Sequence, residues 1–265
     1  MPLPPKSFWR DPALAFAESR RITGSRACYR PHTHATFSIG VVDAGTSIFT
    51  SQSHSVRLTA GSLVAIPAEC LHACNPAPAE PWSYQMLYLD AHWVASTLAH
   101  AGAPLCPSHA LVSNDTRAYN TFCALNHLLF SDASTDVKRA ALTQFIVQGV
   151  WRAGQALTPE HCTASAQLVR AQALLQARYA EPLPLATLAQ AAGMSPHALV
   201  RAFRAATGLT PHAYQLNLRI NAARTLLRAG HAPAVVAQDL GFYDQSHFQN
   251  AFRQRVAATP GNYRR

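Results

Sequence analysis

The last hundred residues carry one pattern twice. Ala189-Gln190, Gly193, Ser195, Leu199, Phe203, Thr210-Pro211 and Tyr214 return as Ala237-Gln238, Gly241, Asp244, Phe248, Phe252, Thr259-Pro260 and Tyr263, with Phe203 and Phe252 49 residues apart. Each copy reads as a helix, a glycine turn and a second helix, too small to bury its own apolar face without neighbours. A doubled unit of this kind has few physical uses, and the strongest is to set two helices into successive grooves of duplex DNA.

The faces of the second helices support that use. Ser195 is a natural N-cap, with Pro196 in the first turn, where its missing N–H costs nothing. The helix runs to about Thr207, and Gly208 stops it. Leu199 and Phe203 point inward, which leaves His197, Val200, Arg201 and Arg204 on the opposite face. Asp244 caps the second copy, in which Phe248 and Phe252 point inward and Gln245, Ser246, Gln249, Asn250 and Arg253 point outward. Gln and Asn can pair with the adenine edge and Arg with guanine. Between the units Thr210 caps Pro211, and Leu216, Ile220, Ala223 and Leu227 form one stripe up to Gly230. A helix over 211–228 is about 27 Å long, near one turn of DNA once its packed ends add width.

Charge follows the same division. Of a net charge of +9, +8 falls on residues 166–265, which hold eleven arginines, no lysine and only Glu181, Asp239 and Asp244 as acids. Basicity that coincides with a groove-reading motif points to nucleic acid; basicity alone does not. No apolar run is long enough to span a membrane, and Met1 to Ala17 lacks the order of a secretion signal, so a cytoplasmic protein without a membrane partner is expected. The six cysteines (Cys28, Cys70, Cys74, Cys106, Cys123, Cys162) are scattered without a framework, and no structural disulfide is expected.

The first half has a different period. In residues 26–90 short strands alternate with turns: Phe37, Ile39 and Val41 alternate with Ser38, Gly40 and Val42, and Ser62–Ile66 lies between Gly61 and Pro67. From Ala118 the spacing becomes helical, with Phe122, Leu125 and Leu129, then Leu142, Phe145 and Ile146 after a polar break over 131–136. This predicts a helical hairpin following an antiparallel β unit. Residues 153–166 read as a linker. The fold class is therefore α+β: a β unit with a helical hairpin in 1–152, the linker in 153–166, and an all-α unit in 167–265.

Residues 168–265 resemble the double helix-turn-helix domain of AraC-type bacterial transcription regulators. The resemblance rests on Gly241-Phe242-Tyr243-Asp244-Gln245-Ser246-His247-Phe248 with Ala251-Phe252 and Thr259-Pro260. It implies recognition helices at 196–206 and 245–256, a base-reading role for Arg201 in the first, and base-reading roles for Gln245, Ser246, Gln249 and Asn250 in the second. Asn250 stands where the family often has Arg, and Val200 offers only an apolar contact. Promoter half-sites in double-stranded DNA are the implied partner, RNA polymerase is a further partner by family analogy, and the helical hairpin resembles a pair through which the family often forms homodimers.

Pro31-His32-Thr33-His34, Thr59-Ala60-Gly61 and Pro67-Ala68-Glu69-Cys70-Leu71-His72 resemble the cupin-like effector-binding barrel that precedes this domain in many such regulators, over roughly residues 20–95. If strand alternation holds from His32, both histidines share a face with Thr36, Ser38 and Gly40, whose small side chains leave room inside. Trp82, Tyr84 and Tyr88 would cover a small-molecule effector, with His32, His34 and His72 supplying hydrogen bonds. The alternative is a cupin-type metalloenzyme or a metal or redox sensor using His32, His34 and His72, with Cys70 and Cys74 nearby. No acidic ligand lies between Thr33 and Val42, so the expectation is a regulator that is not an enzyme, with no cofactor and no resident metal.

Overall fold

The computed structural model describes residues 6–51, 54–78, 80–158 and 165–264. The chain divides into two compact units: residues 1–27 with 33–159, and residues 28–32 with 160–265.

Among the described residues, the first unit contains ten strands and three α-helices. The strands are β1 (Lys6–Arg10), β2 (Ala17–Ser25), β3 (Thr36–Ala44), β4 (Thr46–Ser51), β5 (His54–Thr59), β6 (Leu63–Ile66), β7 (His72–Pro76), β8 (Trp82–Asp90), β9 (Leu111–Ser113) and β10 (Gln155–Ala156). The helices are α1 (Ala91–His100), α2 (Thr116–Leu129) and α3 (Thr135–Gln148). All strand pairing is antiparallel, in a larger sheet of order β1-β2-β8-β3-β6-β9-β10 and a smaller one of order β5-β4-β7.

Alternation assigns the two faces of the larger sheet. Phe37, Ile39 and Val41 of β3 and Leu87 and Leu89 of β8 join one apolar core with Phe122, Leu125 and Leu129 of α2 and Leu142, Phe145 and Ile146 of α3. Burial of those side chains, each worth roughly 1.5–3 kcal/mol, holds the helices on the sheet. The apolar stripes of the helical hairpin are thus buried within one chain. The opposite face carries Ser38, Tyr84 and Tyr88, also buried, and ring contacts from Tyr88 to His34, His34 to His72 and His72 to Phe49 join it to the smaller sheet.

Three elements depart from the sequence reading. Strand β1 extends the sheet to Lys6, well before residue 20. Helix α1 follows β8 directly, with the Asp90 carboxylate capping the Trp93 N–H at 2.8 Å. Pairing also extends into the stretch read as a linker, where β10 lies on β9 and the Leu157 N–H donates to the Ala110 carbonyl at 2.8 Å. The remainder of that stretch, 159–164, including Cys162, lies outside the described residues. The other five cysteines are free thiols.

The second unit is helical: α4 (Ala166–Ala177), α5 (Leu185–Ala192), α6 (Pro196–Thr207), α7 (Pro211–Arg228), α8 (Pro233–Asp239), α9 (Gln245–Val256) and α10 (Pro260–Arg264). The sequence repeat is a repeat of packing. Phe203 meets Tyr214 edge-on with ring centroids 5.4 Å apart, and Phe252 meets Tyr263 in the same way, also at 5.4 Å. The copies differ at one stop: Gly208 closes α6 at φ 73°, whereas Ala257 closes α9 at φ 53°, a left-handed conformation that disfavours a side chain. Among the described residues no helix is long and apolar enough to cross a membrane.

Candidate functional site

Caps and stops fix the ends of the two exposed helices. The Ser195 hydroxyl accepts from the Ala198 N–H at 3.3 Å, and the Asp244 carboxylate accepts from the His247 N–H at 2.6 Å, so each helix starts at a set residue. Inside, Leu199 and Phe203 of α6 and Phe248 and Phe252 of α9 are fully buried. Outside, His197, Arg201 and Arg204 on α6 and Gln245, Ser246, Gln249, Asn250 and Arg253 on α9 are exposed, while Val200 is half-buried. The exposed faces thus carry the donors and acceptors that base edges require.

Two details sharpen this surface. Arg253 Nη2 donates to Asn250 Oδ1 at 3.2 Å, so the oxygen end of the Asn250 amide is already engaged on the helix face. Bidentate pairing with adenine needs both ends of an amide, so this arrangement favours an acceptor on the base. His247 packs edge-on against Phe242 at 5.5 Å.

Several arginines that the charge count assigned to nucleic acid are structural. Arg170 donates to the carbonyls of Ala191 and Ala192 at 3.0 and 3.3 Å, closing the end of α5. Arg219, on α7, donates to Tyr179 O at 2.7 Å, Glu181 O at 3.0 Å and Gly241 O at 2.5 Å. Gln215, one turn earlier, reaches the carbonyls of Tyr179 and Glu181 at 3.0 and 2.7 Å. Arg224 meets the Tyr263 hydroxyl at 3.2 Å. Arg255 is buried on α9, and loss of water lowers its guanidinium to about 10. Carbonyl-binding arginines have no sequence motif, which is why residue counting missed them.

In the first unit the proposed effector residues sit on the sheet face away from the helices. Strand β3 begins at Thr36, so His32 and His34 precede it and do not share its alternation. His32 belongs to the segment grouped with the helical unit and is half-buried. The other five fall in one row of contacts: His72 to His34 with ring centroids at 4.9 Å, His34 to Tyr88 at 5.6 Å, and Trp82 stacked on Tyr84 at 4.0 Å. The link between Tyr88 and Tyr84 is a residue the sequence did not single out. Arg20, buried on β2, has its guanidinium carbon 5.5 Å from the Tyr88 ring centroid and 5.6 Å from that of Tyr84.

The imidazoles are oriented by backbone. His34 Nδ1 lies 2.9 Å from the Thr36 carbonyl and His72 Nδ1 lies 2.9 Å from the Cys70 carbonyl. A carbonyl only accepts, so Nδ1 carries the proton in both rings, and Nε2 of His34 faces the Ser38 hydroxyl at 3.2 Å. Cys74, half-buried on the strand that carries His72, has its thiol pushed up to about 12 by desolvation. A thiol held protonated is a poor nucleophile and a poor metal ligand. The room expected over Gly40 is filled: a Cβ added there would lie 2.2 Å from Met86 Sδ.

Comparison with known proteins gives a consistent result. A model of a helix-turn-helix domain matches residues 188–265, and a model of an AraC-like ligand binding domain matches residues 21–150. The transcriptional activator RhaR of Klebsiella pneumoniae is 26% identical over 255 residues, covering 89% of this chain and 87% of RhaR. The uncharacterized transcriptional regulator YbfI of Bacillus subtilis is 25% identical over 246 residues, with the same shares covered. Among solved structures, an apo form of ToxT from Vibrio cholerae superposes with a TM-score of 0.60 at 13% identity, covering 94% of this chain and 97% of that one. ToxT with bound unsaturated fatty acid gives 0.58 at 14% identity, covering 98% and 94%. At such identities the likeness concerns the fold.

Proposed function

The chain belongs to the AraC family of transcription regulators, and from that premise we propose that it binds promoter half-sites through α6 and α9 and answers to a small molecule held in the sheet unit. The observation that carries this reading is the pair of capped helices, each exposing polar and arginine side chains over a closed aromatic core.

His197, Val200, Arg201 and Arg204 are the proposed contacts of the first helix. Gln245, Ser246, Gln249, Asn250 and Arg253 are those of the second. His34, His72, Trp82, Tyr84 and Tyr88, with His32 before them, are proposed to line the effector site. Residues 1–152 serve effector binding, 153–166 connect, and 167–265 bind DNA. The protein works in the cytoplasm, catalyses no reaction, and contacts RNA polymerase when bound upstream of a promoter. A homodimer would double the DNA footprint, and it must use helix surfaces other than the buried stripes of α2 and α3.

Effector binding acts by changing how strongly the helical unit engages DNA, a coupling that must be reciprocal between the two ligands. Selection of genomic fragments by the purified protein, with and without metabolite pools, tests both halves. Enrichment of a shared half-site that sharpens or fades with one pool supports the reading. Indifference to duplex DNA at low ionic strength overturns it.

A further inference from the structure

The two repeats differ in length by one residue. Ala189-Gln190 and Gly193 return 48 residues on, as Ala237-Gln238 and Gly241, whereas Ser195, Leu199 and Phe203 return 49 residues on, as Asp244, Phe248 and Phe252. The second copy therefore holds one more residue between its turn glycine and the cap of its exposed helix. Backbone hydrogen bonds identify it. The Met194 N–H donates to the Ala189 carbonyl and the Phe242 N–H to the Ala237 carbonyl, both at 2.9 Å, so Phe242 answers to Met194 and Tyr243 is the extra residue.

Tyr243 takes no part in packing. Met194 lies against the core of the first repeat, and Phe242 is buried with its ring centroid 4.9 Å from that of Phe248. Tyr243 is 93% exposed, the highest value of any large apolar side chain among the described residues, and it makes no hydrogen bond or ring contact among them. The fold does not require it.

Its position and the local charge say what it can meet. Tyr243 directly precedes Asp244 and α9, and a helix that enters the major groove by its N-terminal end brings the residue before its cap to the groove edge, where sugar and phosphate pass. A helix N-terminus ordinarily attracts phosphate. Here the Asp244 carboxylate already accepts from the His247 N–H, and its charge repels a phosphate from that end. The first copy has a neutral Ser195 hydroxyl at the same place. A phosphate beside α9 must therefore be held from further out, by an uncharged donor on a long stem. Tyrosine hydroxyls belong to the groups that bind phosphate oxygens, and the ring offers an apolar surface to the sugar.

Resting on the DNA-binding reading above, we infer that Tyr243 is a backbone anchor. Its hydroxyl donates to one phosphate oxygen flanking the base pairs read by α9, and its ring lies on the adjoining sugar. The first repeat, which lacks the extra residue, has no counterpart, so the anchor acts at one half-site only.

The test uses the full chain with a fluorescein-labelled duplex recovered by the genomic selection, beside an unrelated duplex of equal length. Tyr243→Phe is expected to weaken binding about three- to tenfold, the size of one hydrogen bond to a charged acceptor at a wet surface, and Tyr243→Ala more. Both variants should keep the native melting temperature, because the side chain is exposed. Base preference should be unchanged, and so should the salt dependence, since a phenol carries no charge and releases no counterion. Replacing the phosphates one at a time by methylphosphonate should reveal a single position where the native chain loses affinity and Tyr243→Phe loses almost nothing further. Native affinity in Tyr243→Phe, a loss confined to one base pair, or the absence of any such phosphate overturns the anchor. Unchanged duplex binding with reduced transcription in a purified system also overturns it, and turns Tyr243 toward RNA polymerase. In each of these cases the native chain still binds duplex and the DNA reading stands; a native chain that binds neither duplex removes both.

Discussion

Arg219, midway along α7, donates through Nη1 to the carbonyl oxygen of Gly241 at 2.5 Å, and so ties the turn of the second repeat to the loop that opens the first, whose carbonyls at Tyr179 and Glu181 take its other N–H groups. One side chain thus fixes how the two helix-turn-helix copies are disposed about their connecting helix. Hydrogen bonds to a charged donor contribute about 1.5–3 kcal/mol each at most, and part of that offsets the desolvation that lowers this guanidinium's pKa. Arg219→Ala is expected to cost about 2–4 kcal/mol in urea unfolding of the helical unit, and Arg219→Lys nearly as much, because an ammonium cannot span three carbonyls. A loss below about 0.5 kcal/mol would mean that the aromatic cores alone set the arrangement.

Gly193 and Gly241 occupy equivalent turns at nearly the same φ, 65° and 69°, but in different surroundings. A Cβ on Gly193 would find its nearest atom, an Arg170 nitrogen, at 3.8 Å, whereas a Cβ on Gly241 would lie 2.0 Å from the Ala180 carbonyl oxygen. Gly193→Ala therefore carries only left-handed strain, about 1–2 kcal/mol. Gly241→Ala adds a clash with backbone that cannot rotate away, and is expected to cost at least twice as much by thermal or urea unfolding. Equal effects would show that the loop over 179–181 gives way freely.

What was legible in the chain, and what was not, follows from how local each signal is. Ser195, Asp244, Gly193 and Gly241 announce caps and turns through their own chemistry, and Phe203, Phe252, Tyr214 and Tyr263 repeat at fixed spacing, so the helical unit could be read almost helix by helix. Arg219 and Arg170 act on carbonyls 21 or more residues away, a relation with no local pattern. In the sheet unit, alternation over Phe37–Val42 showed which side faces the core. Strand β2 hid its role because Glu18 and Arg20 are charged residues at interior positions, where sequence reading expects apolar ones. Trp82, Tyr84 and Tyr88 could be proposed from type and spacing, but the cation between them required strand register.

Asp43 makes stability depend on pH. It accepts from Gln85 Nε2 at 2.8 Å and from the Tyr119 hydroxyl at 3.1 Å, yet burial raises its carboxyl pKa, outweighing those bonds and the nearby Arg21 charge. A raised folded-state pKa favours the protonated form, so its stabilising effect is complete below the ordinary carboxylate value and is lost as pH rises through the folded value. Asp43→Asn keeps an oxygen acceptor without the charge. The variant is therefore expected to melt at or above the native temperature at pH 7, with its advantage shrinking at pH 4. A variant that is less stable at pH 7 would show that Arg21 favours the charged form more than desolvation opposes it.

Gln249 and Arg264 test the proposed separation of base reading from phosphate holding. Both are exposed, but Gln249 lies in the middle of the outward face of α9, where a side chain can reach a base edge, and Arg264 lies at the far end of α10, beyond the groove-reading face. Removing an amide that pairs with a base costs about 1–3 kcal/mol at one position of a half-site and little elsewhere. Removing a phosphate contact weakens all sequences alike and reduces the salt slope by about one. Binding to a library of half-sites at several salt concentrations should therefore show Gln249→Ala relaxed at one base pair with its salt dependence intact. Arg264→Ala should be uniformly weaker with a shallower slope. Uniform losses for both variants would mean that α9 lies along the backbone and not in the groove, and base reading would then fall to Arg201 and its neighbours on α6.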